Sequence, residues 1–392
     1  MRPRTILSGG ILLVLGTLLG GPATSGRAQG PAPRPAVLIT NAKVFDGKSN
    51  KLTANTSVLV VGNKIEKIGG GIAAPEKATV LDAGGRTLMP GLIDAHWHAM
   101  LVRPTPAEAL TWDVGYANLV AAAEAMDTLL RGFTTVRDMG GPAFGLKRAI
   151  DEGVVAGPRI YPSGAMITVT SGHGDFRQSF DLPRTLGSAR TRMEQIGGSL
   201  LADSPDEVRL RAREQLMLGA TQIKLTAGGG VASPHSPLDV TTFTEPELRA
   251  AVEAAENWGT YVTVHAYTSA SINRAIAAGV KCIEHGHLMD EATARLIAER
   301  GVWLSIQPFP DELADAFPPG SQQRAKAREV FAGTDVAYRM ARKHKLKTAW
   351  GTDIIFSPAL ARRQGELLVK LEQWYTPAEA LGMATATNAE LL

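Results

Sequence analysis

The run Gly91-Leu-Ile-Asp-Ala-His-Trp-His98 sets two imidazoles two residues apart at the end of an apolar stretch. On an extended segment residues i and i+2 face the same side, so His96 and His98 can grip one metal ion together. Lys224 lies inside Ala220-Thr-Gln-Ile-Lys-Leu-Thr-Ala-Gly-Gly-Gly230, where burial of an ammonium demands neutralisation or a partner. It can snorkel to solvent, pair with an acid, or react with carbon dioxide to become an anionic carbamate able to bridge two metal ions. His265 in Tyr261-Val-Thr-Val-His-Ala-Tyr267 and His285 in Cys282-Ile-Glu-His-Gly-His287 each leave an apolar strand. Taken singly, each reads first as a satisfied core histidine. Asp353 closes Thr348-Ala-Trp-Gly-Thr-Asp353, as a ligand or as a helix N-cap.

Three residues are candidates for substrate contact. His173, in the loop Ser171-Gly-His-Gly-Asp-Phe-Arg177, can hydrogen-bond a carbonyl or carboxylate; Tyr267 can donate to a developing oxyanion. Arg177 can pair with a substrate carboxylate. His235, His287 and His344 read as non-ligands, with His344 in the solvated basic run Lys343-His-Lys345. Asp138 reads equally as functional or structural. Cys282, the single cysteine, reads as a small core residue.

The elements that must carry these residues alternate along the chain. From Pro90 onward, apolar strands are expected at Leu92–His96, Thr134–Asp138, Arg159–Ser163, Gln222–Thr226, Tyr261–His265, Lys281–Glu284, Trp303–Gln307 and Lys347–Trp350. Helical spacing fills Asn118–Arg131, Pro205–Leu218, Glu245–Trp258, Ile272–Ala278, Glu291–Arg300 and Phe331–Lys343. Eight such units predict an α/β chain folded as a (β/α)8 TIM-like barrel over residues 90–392, with the candidate residues at the C-terminal ends of its strands. Residues 37–89 carry short strands broken by turns and predict a small β-domain. Residues 29–36 read as a linker. Residues 1–28 have a secretory leader's layout: Arg2 and Arg4, the apolar stretch Ile11–Leu19, and a small-residue end at Ala28. Export, to the periplasm or outside the cell, is the expectation, with no stable membrane insertion after cleavage. The formal charge of +3 equals the leader's own Arg2, Arg4 and Arg27, so nothing in the balance points to nucleic acid. A homo-oligomer is compatible with the sequence.

In order, the set His-x-His, strand-end Lys, His, His and Gly-Thr-Asp resembles the amidohydrolase superfamily. The Lys224-Leu-Thr-Ala-Gly-Gly-Gly run, His265-Ala-Tyr, Glu284-His-Gly-His and the Ser171–Arg177 loop are similar to its imidazolonepropionase-like and Xaa-Pro dipeptidase-like branch, which includes hydrolases of ochratoxin-type amides. The resemblance implies a binuclear site. His96, His98 and Asp353 would hold one divalent ion, His265 and His285 the other, and carbamylated Lys224 would bridge them. Zinc suits such ligands, and manganese or cobalt can substitute. A bridging hydroxide would attack the amide carbonyl while Asp353 carries the proton to the leaving nitrogen. The small domain would be β-sandwich-like, and its C-terminal strands, which family members add after the barrel, are expected to be truncated at Leu392.

The implied activity is hydrolysis of an amide bond in a dipeptide or an N-acyl amino acid with a free carboxylate. A lactonase or phosphotriesterase could use the same metal pair. A mononuclear deaminase of the superfamily would carry a glutamate three residues after His265, where this chain has Thr268. A non-catalytic binding protein would be expected to have lost ligands that are all present here.

Overall fold

A computed structural model describes residues 34–183, 185 and 187–392. The expected leader, and most of the linker, lie outside the described residues. Two compact units emerge, one comprising the chain up to Thr40 with Thr56–Asp82, the other Asn41–Asn55 with Ala83–Leu392.

Near the N-terminus, strands β1 (Ala36–Val44), β2 (Thr53–Val61), β3 (Lys64–Gly69), β4 (Thr79–Asp82) and β5 (Thr87–Leu88) form one sheet in the order β3-β2-β1-β4, with β5 also on β1. The last two strands were not expected from the sequence. They are short, and neither has an alternating pattern long enough to register.

The rest of the chain is α/β with parallel ladders. One ladder joins β6 (Leu92–Trp97), β7 (Phe133–Asp138) and β8 (Arg159–Pro162). The other contains β9 (Met166–Thr168), β10 (Ser199–Leu201), β11 (Ile223–Thr226), β12 (Val262–Thr268), β13 (Cys282–Leu288), β14 (Trp303–Ile306) and β15 (Lys347–Trp350), in the order β10-β9-β11-β12-β13-β14-β15. All eight expected strands are present, and β9 and β10 are additional. The Ser171–Arg177 loop therefore follows β9 rather than directly following the third strand. Both edges of the β6-β7-β8 ladder touch segments of the other. Asp353 N donates to the His96 carbonyl at 2.7 Å beside a parallel bridge between Trp97 and Ile354, and Thr221 N donates to Pro162 O at 2.9 Å.

Two helices have the bounds their end signals dictate. Pro205–Leu218 starts behind Ser204, whose side chain accepts the Glu207 N–H, and stops at Gly219 with φ of 100°. Glu291–Arg300 starts behind Asp290, which accepts from Thr293 N, and stops at Gly301 with φ of 62°. The expected single helix Phe331–Lys343 is instead two, Gln322–Ala332 and Thr334–Lys343. Gly333 sits at the break, where a Cβ would come within 2.1 Å of the His287 carbonyl oxygen. That close approach depends on tertiary packing and leaves no trace in periodicity.

Asn388, in the helix Asn388–Leu391, ties β6 to β15. Its Nδ2 donates to Ile93 O at 2.8 Å and Trp350 O at 2.7 Å, and its Oδ1 accepts from Trp350 N at 3.0 Å. Three backbone groups of β6 and β15 depend on this one buried amide. Asn388→Ala should therefore cost about 2–4 kcal/mol, roughly 1–3 per stranded group with partial relaxation. Urea denaturation checks this, and an unchanged midpoint would remove Asn388 from the joint.

Candidate metal centre

The parallel register decides which side chains meet. Lys224 pairs with Thr263, Thr226 with His265, and His265 with Glu284 across β11, β12 and β13. Paired residues face the same side and successive residues face opposite sides. Lys224, His265 and Glu284 thus share one face, while Ile223, Leu225, Val264 and Ile283 pack among the apolar residues of the core. Simple alternation would turn His285 away from its neighbour Glu284. Its backbone instead has φ of 83°, in the left-handed region, and its ring centroid lies 4.4 Å from that of His265 and 5.0 Å from that of His96. Asp353 is also left-handed, with φ of 54°. A side chain in that region carries a cost of order 1–3 kcal/mol that surrounding structure must impose.

The turn bearing Asp353 is pressed onto β6. A Cβ on Gly351 would stand 2.5 Å from His96 N. Asp94 fastens the two segments: Oδ1 accepts from His96 N at 3.0 Å and Thr352 N at 3.1 Å, and Oδ2 accepts from Thr352 Oγ1 at 2.6 Å and Gln364 Nε2 at 2.9 Å. Burial pushes its carboxyl up to about 6 against these four bonds. Asp353 Oδ1 then lies 3.3 Å from His96 Nε2 and 3.1 Å from His98 Nε2. Ligand atoms of His96, His285 and Asp353 all fall within 4.8 Å of one another.

Each of the four candidate histidines has one ring nitrogen committed to the protein. His96 Nδ1 donates to Glu284 Oε2 at 2.8 Å, and His98 Nδ1 to Gly140 O at 3.0 Å. His265 Nε2 donates to Gly229 O at 2.8 Å, and His285 Nδ1 to Gln307 Oε1 at 2.6 Å. A carbonyl or carboxylate oxygen can only accept, so each committed nitrogen bears the proton; the other is left to a ligand in His265 and His285, and faces Asp353 Oδ1 in His96 and His98, where a cation between ring and carboxylate would take its lone pair. The Gln307 amide nitrogen lies 3.4 Å from His96 Nδ1, farther than the Glu284 carboxylate. Burial moves His96 down to about 4, with the Lys224 charge adding to the effect, and holds His265 and His285 well below the ordinary imidazole value. For His98 burial also acts downward, but the Asp353 carboxylate outweighs it and the net shift is upward. Burial would raise Asp353 too, yet its contacts with His96 and His98 and the nearby Lys224 hold it low, as a carboxylate. Free imidazole lone pairs beside an ionised carboxylate are the donor set a divalent cation requires, so these residues fit a metal.

Lys224 is only 2% exposed. Burial pushes its amine downward against the pull of the Glu284 and Asp353 charges. A buried amine under that pressure is reactive as the free base, the form that adds carbon dioxide.

His173 and Tyr267 reach the same place. The His173 ring is 4.2 Å from that of His265, and the Tyr267 ring meets His265 edge-on at 4.6 Å. Burial holds the Tyr267 phenol well above its usual value, so it keeps its proton. Both line a cavity of about 1060 Å³, counting its open mouth, together with His98, His265 and Asp353. The remainder of its wall is largely apolar, including Phe176, Phe309, Phe317, Phe331 and Phe356.

Arg177 does not serve as expected. It is buried and paired with Asp175, Nε to Oδ1 at 2.8 Å and Nη2 to Oδ2 at 2.6 Å, with Thr170 Oγ1 taking a further bond. His344 is not solvated either: its Nε2 is enclosed, 3.4 Å from Glu291 Oε1. Asp138 proves structural, its Oδ2 accepting Ala99 N at 2.6 Å and so pinning the segment after His98. His287 donates to Gln307 O at 3.0 Å, and His235 is exposed.

Sequence reasoning missed the support beneath the histidines. Arg137 and Glu284 have no exposed side-chain surface and pair at 2.6 Å. Arg137 also donates to Ala95 O at 2.6 Å and Tyr261 OH at 3.2 Å, while Thr263 Oγ1 donates to Glu284. Arg137 holds Glu284 well below the usual carboxylate range although burial alone would raise it. An Arg inside a strand, Phe133-Thr-Thr-Val-Arg-Asp138, was the available signal.

The chain matches the amidohydrolase family over residues 87–392. It belongs to that family. Ochratoxinase from Aspergillus niger is 32% identical over 321 residues, which are 78% of this chain and 65% of that protein's length. Imidazolonepropionase from Deinococcus radiodurans is 27% identical over 355 residues, 86% of this chain and 80% of its own. Among solved structures, a prolidase complexed with N-methylphosphonate-L-proline superposes with a TM-score of 0.84 at 33% identity, covering 91% of this chain and 87% of the other. These relatives set the chain in the prolidase-like branch of the amidohydrolases.

Two consequences follow for the buried pair. Glu284→Gln should weaken metal binding about 10–100-fold, because the His96 ring loses its charged acceptor; chelator competition measures this, and equal affinity would rule the contact out. Arg137→Met should cost about 3–5 kcal/mol by leaving a carboxylate buried without its partner, read as a lowered denaturation midpoint.

Proposed function

We propose that this amidohydrolase is a binuclear metal-dependent enzyme that cleaves the amide bond of a dipeptide or N-acyl amino acid bearing a bulky apolar group. The observation that carries the reading is a shared pattern: four buried histidines each spend one nitrogen on a protein oxygen, and His96, His98 and His285 gather around Asp353, at the floor of an aromatic-walled cavity. In this reading the two parallel ladders are parts of one (β/α)8 barrel, and the site occupies the C-terminal ends of its strands. His96, His98 and Asp353 would hold one ion and His265 and His285 the other, with Lys224 as its carbamate between them. Zinc is the ion we favour.

When bound, such a pair of ions lowers the pKa of water to near neutrality and polarises a carbonyl. The chain's own groups supply the rest. Asp353, kept ionised, takes a proton at its carboxylate and returns it to the leaving nitrogen. Tyr267, kept protonated, donates to the charge that develops on the carbonyl oxygen. The phenylalanine-rich wall excludes water and takes the apolar part of the substrate, an amide such as those the names of ochratoxinase and prolidase point to.

The test begins with the metal content of the purified protein, for which two equivalents are expected. It continues with a screen of dipeptides, N-acyl amino acids, lactones and phosphotriesters. A content near zero that added bicarbonate and metal do not raise would sink the binuclear site. Turnover of phosphotriesters alone would replace the amide reading. Lys224→Ala should lower activity by at least about 100-fold, and full retention would remove Lys224 from the centre.

A further inference from the structure

His173 stands in the same group of rings as the four candidate ligands, but its hydrogen bonding is of the opposite kind. Its committed nitrogen faces a hydroxyl, not a carbonyl. Ser233 Oγ lies 3.0 Å from His173 Nδ1 and accepts the Gly174 N–H at 2.8 Å. With an N–H already directed at its oxygen, the buried Ser233 hydroxyl has its own proton to place, and His173 Nδ1 is the acceptor at hand among the described residues. Nδ1 is then the lone-pair nitrogen and Nε2 carries the hydrogen. The four candidate ligands are arranged to receive a cation, and this ring to give a hydrogen bond.

The loop that carries Ser233 is anchored from outside. Lys326, on the helix Gln322–Ala332, donates to three of its carbonyls: Gly230 at 2.7 Å, Ser233 at 2.8 Å and Ser236 at 3.1 Å. An ammonium has three protons, and all three are used. Gly230 supplies the seat for the ring, since a Cβ there would stand 2.0 Å from His173 Nδ1. Ser171 Oγ donates to His235 O at 2.7 Å and joins the loop of His173 to the loop of Ser233.

We propose that Ser233 and Lys326 are positioning residues that hold His173 as its Nε2–H tautomer, a fixed neutral donor to the carbonyl oxygen of the substrate. The proposal rests on the amide-hydrolase reading for the identity of that oxygen. Burial, which lowers His173 to about 3, agrees with a neutral ring.

The tautomer is read without turnover. Long-range proton–nitrogen NMR correlations of the full chain labelled with 15N-histidine, with His173→Asn for assignment, should show His173 protonated at Nε2 and bare at Nδ1. The reverse pattern in the wild type overturns the proposal. The spectrum decides this even if no amide is hydrolysed, an outcome that would sink the proposed function instead. Kinetics on a cleaved amide give the second readout. Ser233→Ala and Lys326→Met should lower kcat about 10–100-fold with KM little changed, because the bond strengthens as charge develops. Ser233→Thr, which keeps the hydroxyl, should recover most of the loss. A Ser233→Ala enzyme with wild-type kcat, or a Ser233→Thr enzyme as impaired as Ser233→Ala, would overturn the assignment.

Discussion

The candidate site rests on one buried ion pair. Arg137 and Glu284 are fully enclosed, and together they engage β6 through the Ala95 carbonyl and His96, and β12 through Thr263 and through Tyr261 just before it. Two charges removed from water at such cost persist only where every lone pair and proton finds a partner. Satisfying them fixes how the strands are rotated relative to one another. It also places a carboxylate directly behind His96, which orients the ring and sets which nitrogen is bare.

Above that pair the site is built by departures from regular geometry. A regular strand presents every second side chain, yet Glu284 and His285 are consecutive and both face the centre. The left-handed backbone at His285 makes this possible, and Asp353 shows the same device in the turn that Gly351 lets settle against His96. These conformations cost energy locally. Asp94, with four hydrogen bonds across the joint, and the packing of the last strand on the first hold them in place. That cost is most simply understood as preparation for a ligand, since an apolar core would have no need of it.

The cavity divides its labour by polarity. Its floor gathers imidazoles, a carboxylate and a phenol, and its wall gathers phenylalanines. Arg177, the cation expected to meet a substrate carboxylate, is consumed by Asp175 and stabilises its own loop. The wall therefore offers chiefly apolar contacts, and the polar groups are concentrated at the floor.

Much of this was legible in the residues. The alternation of apolar strands and helices, the bounds of the helices Pro205–Leu218 and Glu291–Arg300, and the ordered His96, His98, Lys224, His265, His285 and Asp353 are all local in sequence, because strand exits and helix ends are set by neighbours within a few positions. The short strands β4, β5, β9 and β10, the break at Gly333 and the fate of Arg177 were not, since each depends on a contact formed between distant segments. The same holds for the chemistry of the histidines. Their residue types and order determined that a metal-binding group was available. Which nitrogen of each ring is bare, and hence that four of them can bind a cation while His173 can donate, was decided only by tertiary structure, because a tautomer is set by the hydrogen-bond partner that folding brings to the other side of the ring.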